Sequence, residues 1–225
     1  MKPLALRAAA AALLLGALMP AHAEFFGNSQ GGTNFPQGAS SFADAVAAFS
    51  PAVTNGSPSA PHLVAESALG VPNHAGGSNC TNSPQCSFAS LGRGGSIMLR
   101  FTDNLLTGSG SAQPDLWVFE VGTDLEDTFV EVSADGVQWL SVGKVTGSTR
   151  GVDIDAYGQG PDSRFSWVRL TDDPLEGSHS GTTGGADIDA VGAISSVAVV
   201  PEPASWALMA AGLIGTLGLV RRRHG

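Results

Sequence analysis

From residue 96 to residue 199 the chain alternates short apolar stretches with turn-forming residues. Apolar side chains occupy every second position over 96–101 and again over 165–170, which predicts half-buried strands. The nearly continuous apolar stretch 116–121 predicts a central strand. Further strands are predicted over 129–133, 137–142, 186–191 and 193–199. No long helical pattern intervenes, so the alternation predicts an all-β, antiparallel β-sandwich.

The Asp135-Gly136 pair separates two of these strands. Asp-Gly between alternating apolar stretches is a strong signal for a β-hairpin, because both residues tolerate the turn conformation. We therefore expect the stretches 129–133 and 137–142 to pair with each other.

The first 23 residues have the pattern of a secretory signal peptide. Lys2 and Arg7 flank a short basic region, and an apolar stretch follows over 8–19. Ala21 and Ala23 form a small-x-small site, which predicts cleavage after Ala23 by signal peptidase once the secretion machinery has engaged the chain. The alternative is a buried N-terminal helix.

The last residues, 200–225, form a tail in three parts. The first part is Pro201, Glu202 and Pro203. Because each proline holds the preceding residue extended, this stretch is predicted to be non-helical. An uncharged apolar stretch over 206–220 predicts a single transmembrane helix, although it is short for a span of about 20 residues. The third part is Arg221, Arg222 and Arg223, which place that end in the cytoplasm.

This order resembles the PEP-CTERM sorting signal. The resemblance implies recognition by an exosortase, a membrane cysteine peptidase-transferase. The protein is then expected to lie transiently in the inner membrane and to reach the cell surface or the extracellular space. A plain C-terminal membrane anchor is the alternative interpretation.

Charge separates the body of the chain from its two ends. The whole chain carries a formal net charge of −9, but six basic and 19 acidic residues lie between Glu24 and Val200, a net −13. Such a domain repels nucleic acid, so no nucleic-acid partner is expected. Residues 24–42 are rich in Gly, Asn, Ser and Gln and predict a flexible lead-in to a domain over 43–199.

Several short segments between residues 43 and 199 resemble bacterial cell-surface domains with a jelly-roll, galactose-binding-like or discoidin-like sandwich. They occupy residues 43–46, 67–73, 90–97, 115–120, 130–139 and 185–191. The resemblance implies binding or surface structure without defining a ligand.

A short internal repeat contains the main candidate metal ligands. The stretch 151–158 parallels 185–192, and each copy contains Asp-Ile-Asp. In an extended chain the two carboxylates of a copy lie on one side, and paired carboxylates suit Ca²⁺. The predicted calcium ligands are Asp115, Asp153, Asp155, Asp187 and Asp189. Glu120, Asp103 and Asn104 are further candidates. Aspartates that cap turns and strand ends are the alternative.

Cys80 and Cys86 are the only cysteines and enclose a short polar loop, which in an exported protein predicts a disulfide. Trp117, Trp139 and Trp167 are interpreted either as packed strand residues or as an aromatic platform for a sugar ring.

The sequence has no nucleophile elbow, metalloprotease helix or phosphate-binding loop. We therefore expect an exported cell-surface or extracellular-matrix protein with a non-catalytic sandwich for binding or structure, with polysaccharide as the candidate ligand. A secreted carbohydrate-active hydrolase on the same scaffold is the alternative.

Overall fold

The computed structural model describes residues 22–76, 86–122, 126–146, 150–178 and 180–199. The strands in these ranges are β1 (Glu24–Asn28), β2 (Gly31–Phe35), β3 (Ala45–Ser50), β4 (Ala89–Ser90), β5 (Ser96–Arg100), β6 (Asn104–Leu106), β7 (Leu116–Glu120), β8 (Thr128–Ser133), β9 (Leu140–Val145), β10 (Gly151–Val152), β11 (Trp167–Asp172), β12 (Asp187–Ala193) and β13 (Ser196–Ala198). Short 3₁₀ helices occupy Gly38–Ser41, Ala60–His62, Ala65–Ala68 and Asp155–Tyr157.

Two antiparallel sheets form the body. A five-stranded sheet has the order β3-β5-β11-β8-β9, and a four-stranded sheet has the order β10-β7-β12-β4. Two-stranded ribbons, β1-β2 and β13-β6, complete the described strands. The all-β, antiparallel prediction is confirmed at this level.

The core lies between the two sheets. Leu99 and Val168 from the five-stranded sheet and Val118 and Ile188 from the four-stranded sheet are all fully buried in one apolar cluster. Burying one such side chain contributes about 1.5–3 kcal/mol. This shared cluster makes the arrangement sandwich-like, and the jelly-roll connectivity stays a prediction.

The Asp135-Gly136 hairpin exists, but its connection is longer than predicted. Val132 pairs with Leu140, so residues 134–139 join β8 to β9. Asp135 Oδ1 accepts the N–H groups of Val137 and Gln138, both over 2.8 Å. This turn holds Val137 and Gln138 outside the strand.

The prediction of a flexible lead-in over 24–42 is wrong. Strands β1 and β2 form a hairpin there, and a 3₁₀ helix follows. Phe35 and Phe42 are buried and pack on Phe119 of β7, with ring centroids 6.0 and 5.9 Å from that of Phe119. The phenylalanines give this polar segment an apolar cluster of its own on the four-stranded sheet.

No helix within the described ranges is long and apolar enough to cross a bilayer. Residues 1–21 and 200–225 lie outside those ranges. The signal peptide and the transmembrane sorting helix therefore stay predictions from sequence.

Candidate functional site

Three of the five predicted metal ligands come together beside the first residue of β7. Asp115, Asp153 and Asp155 each offer one carboxylate oxygen, and these oxygens lie within 4.8 Å of one another. Asp115 is fully buried, whereas the other two are half-buried. We call this group the three-aspartate cluster.

Backbone hydrogen bonds fix Asp115 between the ends of three strands. Its N–H donates to the carbonyl of Val152, the last residue of β10, over 2.8 Å. Its own carbonyl accepts the N–H groups of Ile194 and Ser195, which follow β12, over 2.7 and 3.0 Å. The cluster is thus built on the four-stranded sheet itself.

Asp153 and Asp155 reach the cluster because the chain leaves β10 and turns into a 3₁₀ helix. Ile154 between them is fully buried, and its N–H donates to Asp115 Oδ2 over 3.0 Å. Gly158 ends the turn with a φ of +78°, a left-handed conformation that favours glycine. This copy of Asp-Ile-Asp is therefore turned and not extended, contrary to the prediction.

Each carboxylate of the cluster has one oxygen that accepts hydrogen bonds from backbone N–H groups. In Asp115 this oxygen is Oδ2, which accepts the N–H of Ile154. Asp155 Oδ2 accepts Ser109 N–H and Gly110 N–H over 2.8 and 3.0 Å, and Asp153 Oδ1 accepts Ala156 N–H over 3.3 Å. Asp115 Oδ1, by contrast, is buried and has no partner with hydrogen-bond geometry in the described ranges.

Burial raises the pKa of Asp115. The hydroxyls of Ser195 and Ser109 and the N–H of Ile154 act in the opposite direction, and the nearby charge of Asp155 raises the pKa further. Within the described ranges no Lys, Arg or His forms an ion pair with the cluster. In the part of the chain that the structure describes, the three carboxylates therefore lie close together without a Lys, Arg or His paired to them.

The second Asp-Ile-Asp copy does not join the cluster. Asp187 is buried and accepts the hydroxyl of Ser90. Asp189 accepts the backbone N–H groups of Asn73 and His74 over 3.0 and 3.3 Å. These contacts fit the turn-capping alternative, so the structure places two of the five predicted ligands in structural positions.

A second group of buried charged side chains lies at the other end of β7. Its members are Glu120, Glu126, Arg150 and Asp187. Glu120 is 3% exposed, and neither of its carboxyl oxygens has a partner of normal hydrogen-bond geometry in the described ranges, although the backbone N–H of Asp187 lies near the carboxyl group. Burial, with the charges of Glu126 and Asp187, raises the pKa of Glu120 to about 10, while buried Arg150 acts to lower it. Burial also raises the pKa of Asp187 to about 8. Glu120 lies roughly 16 Å from Asp115 along the strand, so the two groups are separate.

Asp103 and Asn104 also lie elsewhere. Burial raises the pKa of Asp103, and the charge of Asp44 raises it further. Asn104 is fully buried in β6. Asp103 does not belong to the three-aspartate cluster.

Two of the three tryptophans lie on the outer face of the five-stranded sheet. The guanidinium of Arg169 stacks over Trp139 at 4.5 Å, and that of Arg100 over Trp167 at 5.1 Å. Arg169 Nε also donates to Glu131 Oε2 over 2.5 Å. We call these five side chains the aromatic face.

An open cleft of about 300 Å³ adjoins the aromatic face. Its lining includes Asp135, Gln138, Trp139, Leu140 and Phe165. Gln138 and Asp135 are exposed, and the three apolar side chains are half-buried. The cleft therefore offers apolar ring surface and hydrogen-bonding groups side by side.

Trp117 does not belong to that face. It packs against the buried phenylalanine cluster beneath the N-terminal hairpin, 6.4 Å from Phe119. For this tryptophan the packing interpretation applies.

Cys86 is buried, and no free thiol lies in the described ranges. Cys80 lies outside those ranges, so its pairing with Cys86 stays a prediction. Pro201, Glu202, Pro203 and the three arginines of the tail also lie outside them.

Comparison with known proteins gives one assignment, and it concerns the tail. Residues 199–223 match the PEP-CTERM protein-sorting motif. The motif indicates an exported protein that is sorted at the envelope through its C-terminal segment and is processed by an exosortase-type enzyme. The match covers the three-part tail and leaves the sandwich unassigned.

No curated protein matches the chain. Among solved structures, the chain is similar to the C-terminal domain of a chitobiase from Bacteroides fragilis. The two share 14% identity over 72% of this chain and 97% of that domain, with a TM-score of 0.35.

Several contributors to these sites carry no signal in the sequence. Ser109 is distant in sequence from Asp155, and Ser195 is distant in sequence from Asp115. Only the fold brings the two members of each pair together. The pairing of Arg169 with Glu131 follows from the register of β11 against β8. A predicted register would have found it, since the two residues are cross-strand partners.

Proposed function

We propose that this chain is an exported envelope protein whose sandwich is a non-catalytic module that binds a neutral extracellular polysaccharide. The PEP-CTERM motif over residues 199–223 is the observation that carries the proposal. The tail directs export-linked sorting, and the sandwich supplies the function at the destination.

The aromatic face and its cleft support a sugar ligand. Sugar rings present apolar C–H faces that stack on tryptophan, and their hydroxyls hydrogen-bond to Arg, Glu and Gln side chains. Trp139 has Gln138 beside it in the cleft, and Arg169 and Glu131 lie on the adjoining face. Trp139 belongs to both, because it lines the cleft and carries the guanidinium of Arg169 on its ring.

Charge favours a neutral polysaccharide over an acidic one. The body of the chain carries six basic and 19 acidic residues, so an acidic polymer is repelled at long range. The two arginines of the aromatic face are engaged with tryptophan rings, and Arg169 also binds Glu131.

The carboxylates near the cleft support binding without hydrolysis. A glycoside hydrolase uses two carboxyl groups about 5–9.5 Å apart, one of them kept protonated. Asp135 lines the cleft, but hydrogen bonds from the backbone N–H groups of Gln138 and Val137 lower its pKa. Glu131 is held by Arg169. Each of these carboxylates therefore has a structural partner already: backbone N–H groups for Asp135 and Arg169 for Glu131.

Glycan binding by the full-length chain tests this proposal. Trp139→Ala is expected to weaken binding to the preferred neutral glycan about tenfold or more, equivalent to about 1.4 kcal/mol. The matched control is Phe129→Ala, which removes an aromatic ring that is 42% exposed in β8 of the same sheet but does not line the cleft. It should bind like the wild type.

The same preparation is assayed with chromogenic glycosides. Turnover that disappears on Asp135→Asn or Glu131→Gln would replace the proposal with the hydrolase alternative. Equal glycan binding by the wild type and Trp139→Ala would remove the aromatic face as the binding surface.

A further inference from the structure

We infer that the three-aspartate cluster is a Ca²⁺ site that clamps the loop before β7 to the turn after β10. This inference concerns a different part of the sandwich from the cleft. It does not depend on the glycan proposal.

The donor set is that of a hard divalent cation. Asp115, Asp153 and Asp155 supply three carboxylates whose nearest oxygens lie within 4.8 Å of one another. Ca²⁺ binds oxygen ligands at 2.3–2.6 Å, so oxygens on opposite sides of one ion are separated by about 4.6–5.2 Å. The spacing of the cluster therefore fits three oxygens around a single ion.

A second observation is independent of the clustering. Asp115 Oδ1 is fully buried and has no hydrogen-bond partner of normal geometry in the described ranges, although the Ser109 and Ser195 hydroxyls lie near its carboxyl group. A buried carboxylate oxygen without a partner is costly, because it has given up water without replacement. A bound cation supplies the missing partner and offsets the repulsion among the three carboxylates.

Turn capping accounts for part of the cluster only. It explains Asp155 Oδ2, which accepts two N–H groups, and Asp153 Oδ1, which accepts one. These bonds also orient the two carboxylates. Capping does not explain why both converge on the buried Asp115.

Other oxygen donors are close enough to extend the ligand set. The Ser109 hydroxyl lies 3.4 Å from Asp155 Oδ2. Ca²⁺ takes six to eight oxygens, so water completes the shell on the half-exposed side of Asp153 and Asp155. A site with this much solvent resembles the weaker, extracellular class of Ca²⁺ module, with a Kd on the order of 10⁻⁴–10⁻³ M.

Thermal unfolding of the full-length chain in detergent, stripped of metal with chelator, tests the inference. Adding Ca²⁺ to about a hundredfold above its Kd should raise the Tm by roughly 5–10 °C, and calorimetric titration should give one ion per chain. Asp153→Asn and Asp155→Asn should each abolish most of that rise. Both variants keep a side-chain oxygen that accepts the backbone N–H groups.

The matched control is Asp135→Asn, an aspartate that caps a turn in the same manner outside the cluster. It should retain the full Ca²⁺ response. An unchanged Tm in the wild type, an equal rise with NaCl at matched ionic strength, or an undiminished rise in both cluster variants would each overturn the inference.

Discussion

Among single residues, Glu120 couples the stability of the sandwich to pH. Its pKa in the folded protein is about 10, against 4.5 for an unperturbed glutamate. Between these two values the folded state binds a proton that the unfolded state has released. The free energy of unfolding therefore falls as pH rises from about 4.5 toward 10, and this loss is absent below the lower value.

Glu120→Gln is expected to remove this part of the pH dependence, because glutamine resembles the protonated side chain. The variant should gain stability relative to the wild type as pH rises from 5 to 9, measured by urea unfolding at several pH values. Glu66→Gln, at an exposed position, is the control and should follow the wild-type curve. Parallel curves for Glu120→Gln and the wild type would show that Glu120 ionises in the folded protein.

The two Asp-Ile-Asp copies show which single-residue properties a sequence pattern predicts and which it does not. Ile154 and Ile188 occupy the same position in the two copies, and both are fully buried. The shared pattern failed to separate the roles of the aspartates, because those roles depend on neighbours that are distant in sequence. Asp155 meets Ser109 and Gly110, whereas Asp189 meets Asn73 and His74.

Among the elements, the N-terminal hairpin contributes to stability and is not a tether. Phe35→Ala removes a fully buried ring from the cluster with Phe42 and Phe119, and such a change costs about 3–5 kcal/mol. The Tm should fall by roughly 10 °C in a thermal melt. Phe25→Ala, on the same hairpin but with its ring 63% exposed, should change the Tm little. Equal Tm values for the two variants would show that residues 24–35 do not contribute to the stability of the fold.

The central strands were predictable because their alternation matches two packed faces. Strands β5, β7, β8, β11 and β12 fall within about two residues of the predicted stretches. The β1-β2 hairpin was not predicted because Gly, Asn and Gln dominate its composition. Its phenylalanines pack against Phe119, which is distant in sequence, so no local pattern shows that they are buried. The two-residue strands β4 and β10 carry too little sequence for any periodicity.

For the molecule as a whole, charge and sorting signals give a consistent account. The body has a net charge of −13, while the predicted signal peptide and the tail carry Lys2, Arg7 and three arginines. This contrast suits an acidic domain between two segments that are predicted to engage a membrane. The PEP-CTERM match supports the tail's part in that account.

Mass spectrometry of the mature chain from native cells tests export and processing most directly. We expect an N-terminus at Glu24 and a C-terminus near Pro201 in protein recovered from the envelope or the medium. A matched strain without the processing enzyme should yield chains that keep Arg221, Arg222 and Arg223. Wild-type protein recovered from the cytosol with Met1 and Gly225 both in place would contradict the account.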